Sequence, residues 1–98
     1  MKIIWTREAL ERLAEIENFI AKDSPERAQK FITQLIEHGD SLSDYPRMGR
    51  IVPEIANPEI RELIFKKYRI VYRIKNNRIE ILTVFEGHRL LRIEEIEL

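Results

Sequence analysis

The stretch that most restricts the fold is a pair of alternating segments separated by two asparagines. Tyr68-Arg69-Ile70-Val71-Tyr72-Arg73-Ile74 splits into two faces at a period of two, and Arg78-Ile79-Glu80-Ile81-Leu82-Thr83-Val84-Phe85 returns the same way. Asn76-Asn77 lies between them, and asparagine tolerates the positive φ that a two-residue hairpin turn demands. A turn there sets the register, because a slip of one residue would turn every side chain to the wrong face. Arg73 should face Glu80, Tyr72 should face Ile81, and Ile74 should face Ile79. One face then carries Tyr68, Ile70, Tyr72, Ile74, Ile79, Ile81 and Phe85. The other carries Arg69, Val71, Arg73, Lys75, Arg78, Glu80, Leu82 and Val84. Neither is purely polar, so the pattern leaves open which face is covered.

The cover comes from the first half of the chain. Lys2-Ile3-Ile4-Trp5 is short, apolar and β-prone, and reads as a strand. Thr6 can cap a following helix, with Glu8 at the positive end of its dipole. Ala9, Leu13, Ile16 and Ile20 repeat at helical spacing, flanked by Leu10 and Phe19, and this helix should stop near Lys22-Asp23. Ser24-Pro25 starts a second helix, with a capping hydroxyl and then proline at the first helical position. Its stripe is Ala28, Phe31, Ile32, Leu35, Ile36 and Leu42, with Gly39 on the same side. The short link makes the two helices an antiparallel hairpin, and two single stripes need a sheet to bury them. Asp44 to Glu54 holds Pro46, Gly49 and Pro53, so an ordered surface loop without a regular element is expected. Asn57-Pro58 ends it, and Ile60-Arg61-Glu62-Leu63-Ile64-Phe65 is a further strand.

Composition removes several classes of function. Ninety-eight residues are room for one domain, taken here as 1–98, and 44% hydrophobic content is enough for a core. The absence of cysteine rules out disulfides and thiol catalysis. His38 and His88 alone offer almost no ligands for zinc, so no metal and no cofactor is expected. The longest apolar run, Ile81 to Phe85, is far short of the ~20 residues that span a bilayer. No signal peptide is apparent near Met1, so no membrane partner and a cytoplasmic setting are expected.

The net charge of zero is unevenly spread. Residues 1–44 carry −3, residues 45–92 carry +6, and the last six carry −3. Between positions 61 and 78 there are seven cations and one acid, Glu62. Arg89 and Arg92 follow the last strand, beside His88. Antiparallel pairing should bring Arg69 close to Val84, with His88 and Arg89 a few residues on. Arginines converging on a strand end suit phosphate or carboxylate groups, since the guanidinium fork binds both oxygens. The plainer alternative is that Arg73 and Arg78 flank Glu80 and that Tyr72 belongs to the core. Cutting RNA would need a general base, which arginine cannot be; His88 is the nearby group that titrates near neutrality. Phosphate-loop, dinucleotide and nucleophile-elbow patterns are missing around Gly39, Gly49 and Gly87.

The ordered series Tyr45-Pro46-Arg47-Met48-Gly49-Arg50-Ile51-Val52-Pro53-Glu54, Ile60-Arg61-Glu62-Leu63, Tyr68 to Ile74 and Val84-Phe85-Glu86-Gly87-His88-Arg89 resembles the RelE/ParE toxin superfamily. With the helical hairpin before it, the resemblance covers essentially the whole chain. It implies an α+β fold: an N-terminal strand, then an antiparallel helical hairpin packed on a twisted antiparallel sheet. It also implies a type II toxin–antitoxin toxin, a class linked to plasmid stabilisation and growth inhibition. RelE-like members cut mRNA on the ribosome, whereas ParE-like members inhibit DNA gyrase. Arg69 matches the arginine of the RelE tyrosine-arginine strand, and Arg89 matches the one after the last strand. In the nuclease case Arg69, Arg89 and His88 would be catalytic. As an inhibitor the chain would bind its target through Arg61, Arg69, Arg73 and Arg89.

The departures favour the inhibitor. Ile60-Arg61-Glu62 stands where RelE has paired lysines, and the late RelE tyrosine has no counterpart. The Pro46/Gly49/Pro53 loop and Arg61-Glu62-Leu63 look more like ParE. The expectation is a ParE-like protein acting on gyrase without enzymatic chemistry. A ribosome-dependent endoribonuclease and an inactive antitoxin-binding corepressor are the alternatives. The resemblance implies a cognate antitoxin as main partner, with operator DNA reached only through it. The +6 second half would favour an acidic antitoxin segment in a salt-sensitive complex.

Overall fold

The computed structural model describes residues 1–87. Its elements are β1 (Lys2–Trp5), α1 (Arg7–Ala21), α2 (Pro25–Asp40), a 3-10 turn (Ser41–Ser43), β2 (Arg50–Ile51), β3 (Ile60–Phe65), β4 (Tyr68–Lys75) and β5 (Arg78–Glu86). The five strands form one sheet in the order β1-β5-β4-β3-β2. β3, β4 and β5 run antiparallel, as expected, and β2 joins β3 antiparallel at the edge. β1 differs: it lies parallel to β5, Lys2 beside Arg78 and Trp5 beside Ile81.

The helices begin where their caps dictate. The Thr6 hydroxyl accepts from the Ala9 amide at 3.2 Å and donates to the Ile81 carbonyl at 2.7 Å, so one side chain starts α1 and ties it to β5. The Ser24 hydroxyl accepts from the Arg27 amide, and Pro25 opens α2. The two stripes meet the sheet through Leu13, Ile16, Leu35 and Leu42, packed on Leu63, Ile70, Tyr72, Ile74, Ile79 and Ile81. Gly39 lies on the Trp5 ring so closely that a Cβ there would stand 2.6 Å from an indole carbon. The Trp5 indole N–H meanwhile donates to Asp40 at 3.0 Å, locking the end of α2 over the edge strand.

Asn76 and Asn77 both adopt positive φ, 53° and 59°, as the two-residue turn requires. The pairs Arg73–Glu80, Tyr72–Ile81 and Ile74–Ile79 form as the turn predicts. Beyond them the register shifts. A bulge beside Leu82 places Val71 opposite Thr83, Ile70 opposite Val84 and Arg69 opposite Phe85. The extra residue reverses two expected assignments. Val84 points into the helix-side core, and Phe85 joins Val52, Ile60, Val71 and Leu82 on the opposite face. Strict alternation cannot foresee this, because a bulge changes the parity of all that follows.

The loop after the helices also departs from expectation. Tyr45 to Met48 forms a turn closed by the Met48 amide on the Tyr45 carbonyl at 3.1 Å, with proline second. Arg50–Ile51 then pairs with Arg61 and Glu62 as a two-residue edge strand, squeezed between Gly49 and Pro53. The chain thereafter crosses the face that the helices leave open, and Val52 and Ile55 pack onto it.

Candidate functional site

The cations singled out from sequence do not meet at one place. Arg61 pairs with Tyr72 and so shares the helix side of the sheet. There its guanidinium donates to the carbonyls of Gly49 at 2.9 Å and Pro58 at 3.2 Å. Arg69 and Arg73 lie on the opposite face, across from Ile64 and Ile60. Arg61 and Arg69, both expected to bind the target, therefore do not share a patch: strand parity puts them on different sides of one sheet. His88 and Arg89 lie outside the described residues.

Arg69 is an interior group. Its side chain is only 5% exposed, between the wholly buried side chain of Glu62 and the largely covered one of Glu54. Nε and Nη2 reach Glu62, while Nη1 and Nη2 reach Glu54 at 2.9 and 3.0 Å. The guanidinium carbon sits 5.0 Å from the centre of the Phe85 ring. Burial opposes the charge, but hydrogen bonds to Glu54 and Glu62 outweigh it and raise the pKa above the ordinary arginine value. Arg50 reaches the second Glu62 oxygen from the edge strand. The chain Arg50–Glu62–Arg69–Glu54 thus pins both ends of the loop onto β3 and β4.

Arg73 follows the same rule at the other end of β4. It grips Glu80, which also takes Arg78 at 2.9 Å. The Arg73 hydrogen bond holds the Glu80 carboxyl below its ordinary range against partial desolvation, with Arg78 assisting. The plainer reading of Arg73 and Arg78 is the one the geometry supports. Tyr72 is core as well: fully buried, its hydroxyl donates to the Pro46 carbonyl at 2.8 Å and accepts from the Gly49 amide at 3.0 Å. Burial pushes that phenol up.

Sequence reasoning missed Glu62 and Glu54 as partners. The signal was available: Glu62 is the lone acid among seven cations, and a tight turn at Lys66-Lys67 sets Glu62 diagonally across from Arg69.

Among the described residues, two outward surfaces offer exposed side chains to a partner. The first is a groove of about 450 Å³ between α1, α2 and the β3–β4 turn. Its apolar lining is Phe19, Ile20, Phe31 and Tyr68, and its charged lining is Arg27, Lys66 and Lys67, with no acid among the described residues. Phe19 is 64% exposed, and Phe31 meets the Tyr68 ring edge-on at 5.6 Å. The second surface is the turn after α2, where Tyr45 and Met48 are 65% and 48% exposed beside Arg47. Among the described residues no three metal-ligating side chains cluster, and no helix is long and apolar enough to cross a membrane.

Comparison with known proteins decides the family. The model of the ParE toxin of type II toxin–antitoxin system, parDE, matches residues 3–91. The chain belongs to the ParE toxin family. This ParE-family chain is 39% identical over 90 residues to a putative toxin, Y4kP, of Sinorhizobium fredii, covering 90% of each. It is also 32% identical to toxin RelE2 of Caulobacter vibrioides, over 91% of this chain and 98% of that one. A solved structure of a chromosomal ParDE toxin–antitoxin system from P. aeruginosa superposes with a TM-score of 0.75 at 26% identity. It covers 88% of this chain and 95% of that one. The ParE-family member is accordingly the toxin of a type II toxin–antitoxin system, with the expected α+β fold.

Proposed function

We propose that the chain is a ParE-like inhibitor of bacterial growth whose target is DNA gyrase and which a cognate antitoxin neutralises in the cytoplasm. One observation carries the choice over mRNA cleavage. Arg69, the residue that a nuclease would use to steady a phosphate, is enclosed by Glu62 and Glu54 and carries no spare charge for a polyanion. The family match to ParE supports the same side.

The antitoxin's place is the groove lined by Phe19, Phe31, Arg27, Lys66 and Lys67. Among the described residues its charged lining is cationic and its apolar lining largely aromatic, which suits an acidic amphipathic segment. The complex should weaken as salt rises, because exposed pairs are screened. A dissociation constant unchanged between low and high salt would contradict that part of the proposal.

The target is tested by inducing the chain alone in bacteria while following plasmid supercoiling, protein synthesis and mRNA ends together. Loss of supercoiling with intact mRNA ends is expected. New mRNA ends with supercoiling untouched would transfer the protein to the nuclease class. Normal growth would leave it an antitoxin-binding corepressor.

A further inference from the structure

The turn after α2 is held in a way that its own burial does not explain. Three fixtures act on it from beneath. The Tyr72 hydroxyl bridges the Pro46 carbonyl and the Gly49 amide. Arg61 donates to the Gly49 carbonyl, and Arg50 is anchored on the buried Glu62. Gly49 is wedged so tightly that a Cβ would stand 2.5 Å from the Glu62 carbonyl oxygen and 2.7 Å from the Tyr72 hydroxyl. A loop fixed this firmly should tuck its apolar side chains inward. Instead it holds Tyr45, Met48 and Ile51 out to solvent, beside a groove of about 590 Å³.

We propose that the clamped turn Tyr45–Ile51 is a second docking surface, distinct from the antitoxin groove, and that it receives an acidic, apolar-anchored segment of the toxin's protein target. The proposal rests on the reading of the chain as an active toxin. Tyrosine, methionine and arginine are the residues enriched at the buried centres of protein interfaces, and lysine is depleted there. This turn carries the first three and no lysine. Its outward charges among the described residues are mainly Arg47, which makes no ion pair with any of them, and the outer part of Arg50, against Asp44. A carboxylate beside an apolar side chain is the complementary occupant. The density of cations is too low for a nucleic acid, whose binding scales with the number of phosphates neutralised. Because the turn is already rigid, docking forfeits little backbone freedom, which is how a small surface gains affinity.

The test uses the full chain with Tyr45→Ala, Met48→Ser and Arg47→Glu, singly and together. All three side chains are exposed, so each variant should melt within a few degrees of the parent. Two further variants are conservative checks: Tyr45→Phe and Arg47→Lys should keep most of the parent's activity. Growth inhibition on induction and gyrase supercoiling by purified protein are measured in parallel. The triple variant should need at least about tenfold more protein for the same growth inhibition. A folded triple variant as toxic as the parent would overturn the inference, whether the turn then meets the antitoxin or nothing. A parent that dimerises by light scattering and a triple variant that is monomeric would assign the surface to a second copy and overturn it too. Binding of a labelled RNA oligonucleotide that Arg47→Glu abolishes would do the same in favour of nucleic acid. A parent toxic without affecting gyrase removes gyrase as target but leaves the surface to be judged by the growth data. A harmless parent removes both.

Discussion

The two faces of the sheet are held by different forces. On one, the helical hairpin lays two apolar stripes over Leu63, Ile70, Tyr72, Ile79 and Ile81, and apolar burial is the main force that secures it, with the Thr6 and Trp5 hydrogen bonds at its ends. On the other, a loop of some dozen residues supplies little more than Val52 and Ile55, over Ile60, Val71, Leu82 and Phe85. Apolar area is short there, and charge completes the attachment. Arg50, Glu62, Arg69 and Glu54 form the chain that ties the loop down, and Arg73, Glu80 and Arg78 form a second one between β4 and β5. A buried ion network is weak as net stability, because desolvation consumes most of the attraction, but it is costly to break in half. The difference teaches that a cluster of cations in sequence marks a binding site only if the fold leaves those cations uncompensated.

The largest test of this contrast is Arg69→Met. It takes the buried guanidinium away from Glu62 and Glu54, with Arg50 still on Glu62, and should cost about 3–5 kcal/mol in urea unfolding. A loss below 1 kcal/mol would erase the distinction between the faces. On the helix side, Leu35→Ala opens a cavity in the core and should cost about 2–4 kcal/mol. Unlike the arginine change, it should be independent of salt and pH. Tyr72→Phe keeps the ring but deserts the Gly49 amide and the Pro46 carbonyl. About 1–3 kcal/mol should be lost, with faster amide exchange confined to the turn.

The acid response separates the faces further. The Glu80 carboxyl has a folded-state pKa below its unfolded value of 4.5. Its contribution is therefore complete above that value and disappears as pH falls through the folded-state value. Glu80→Gln should be less stable than the parent at about pH 7, and the gap should narrow as the pH falls below 4.5. A gap that widened on acidification would reverse the sign of the Arg73–Glu80 pairing. The smallest effect belongs to the exposed Phe19, where Phe19→Ser should change stability by no more than about 0.5 kcal/mol. The same change should weaken antitoxin binding.

Much of the fold was legible in the sequence, and the reasons are local. Thr6 and Ser24-Pro25 mark helix starts through their own side chains, and Asn76-Asn77 fixes a register that held as far as Tyr72. What escaped was non-local. The bulge at Leu82 follows from how β5 bends against β4, and nothing in Ile81-Leu82-Thr83 announces it. β1 running beside β5 depends on where the hairpin returns the chain. The site was least legible. Arg61, Arg69 and Arg73 look alike as letters, yet strand parity divides them and Glu62 and Glu80 occupy two of them. Tyr45, Met48 and Arg47 drew attention as a family pattern, and only their exposure above a fixed turn gives them a chemical meaning.

The central claim is that Arg69 is scaffolding and that function lies on the outward surfaces. Arg69→Gln, induced at a temperature low enough for circular dichroism to show it folded, tests this directly. Growth inhibition close to that of the parent, scaled to the folded fraction, is the predicted result. A fully folded Arg69→Gln protein that leaves cells unharmed would contradict the account and return the buried guanidinium to the active machinery.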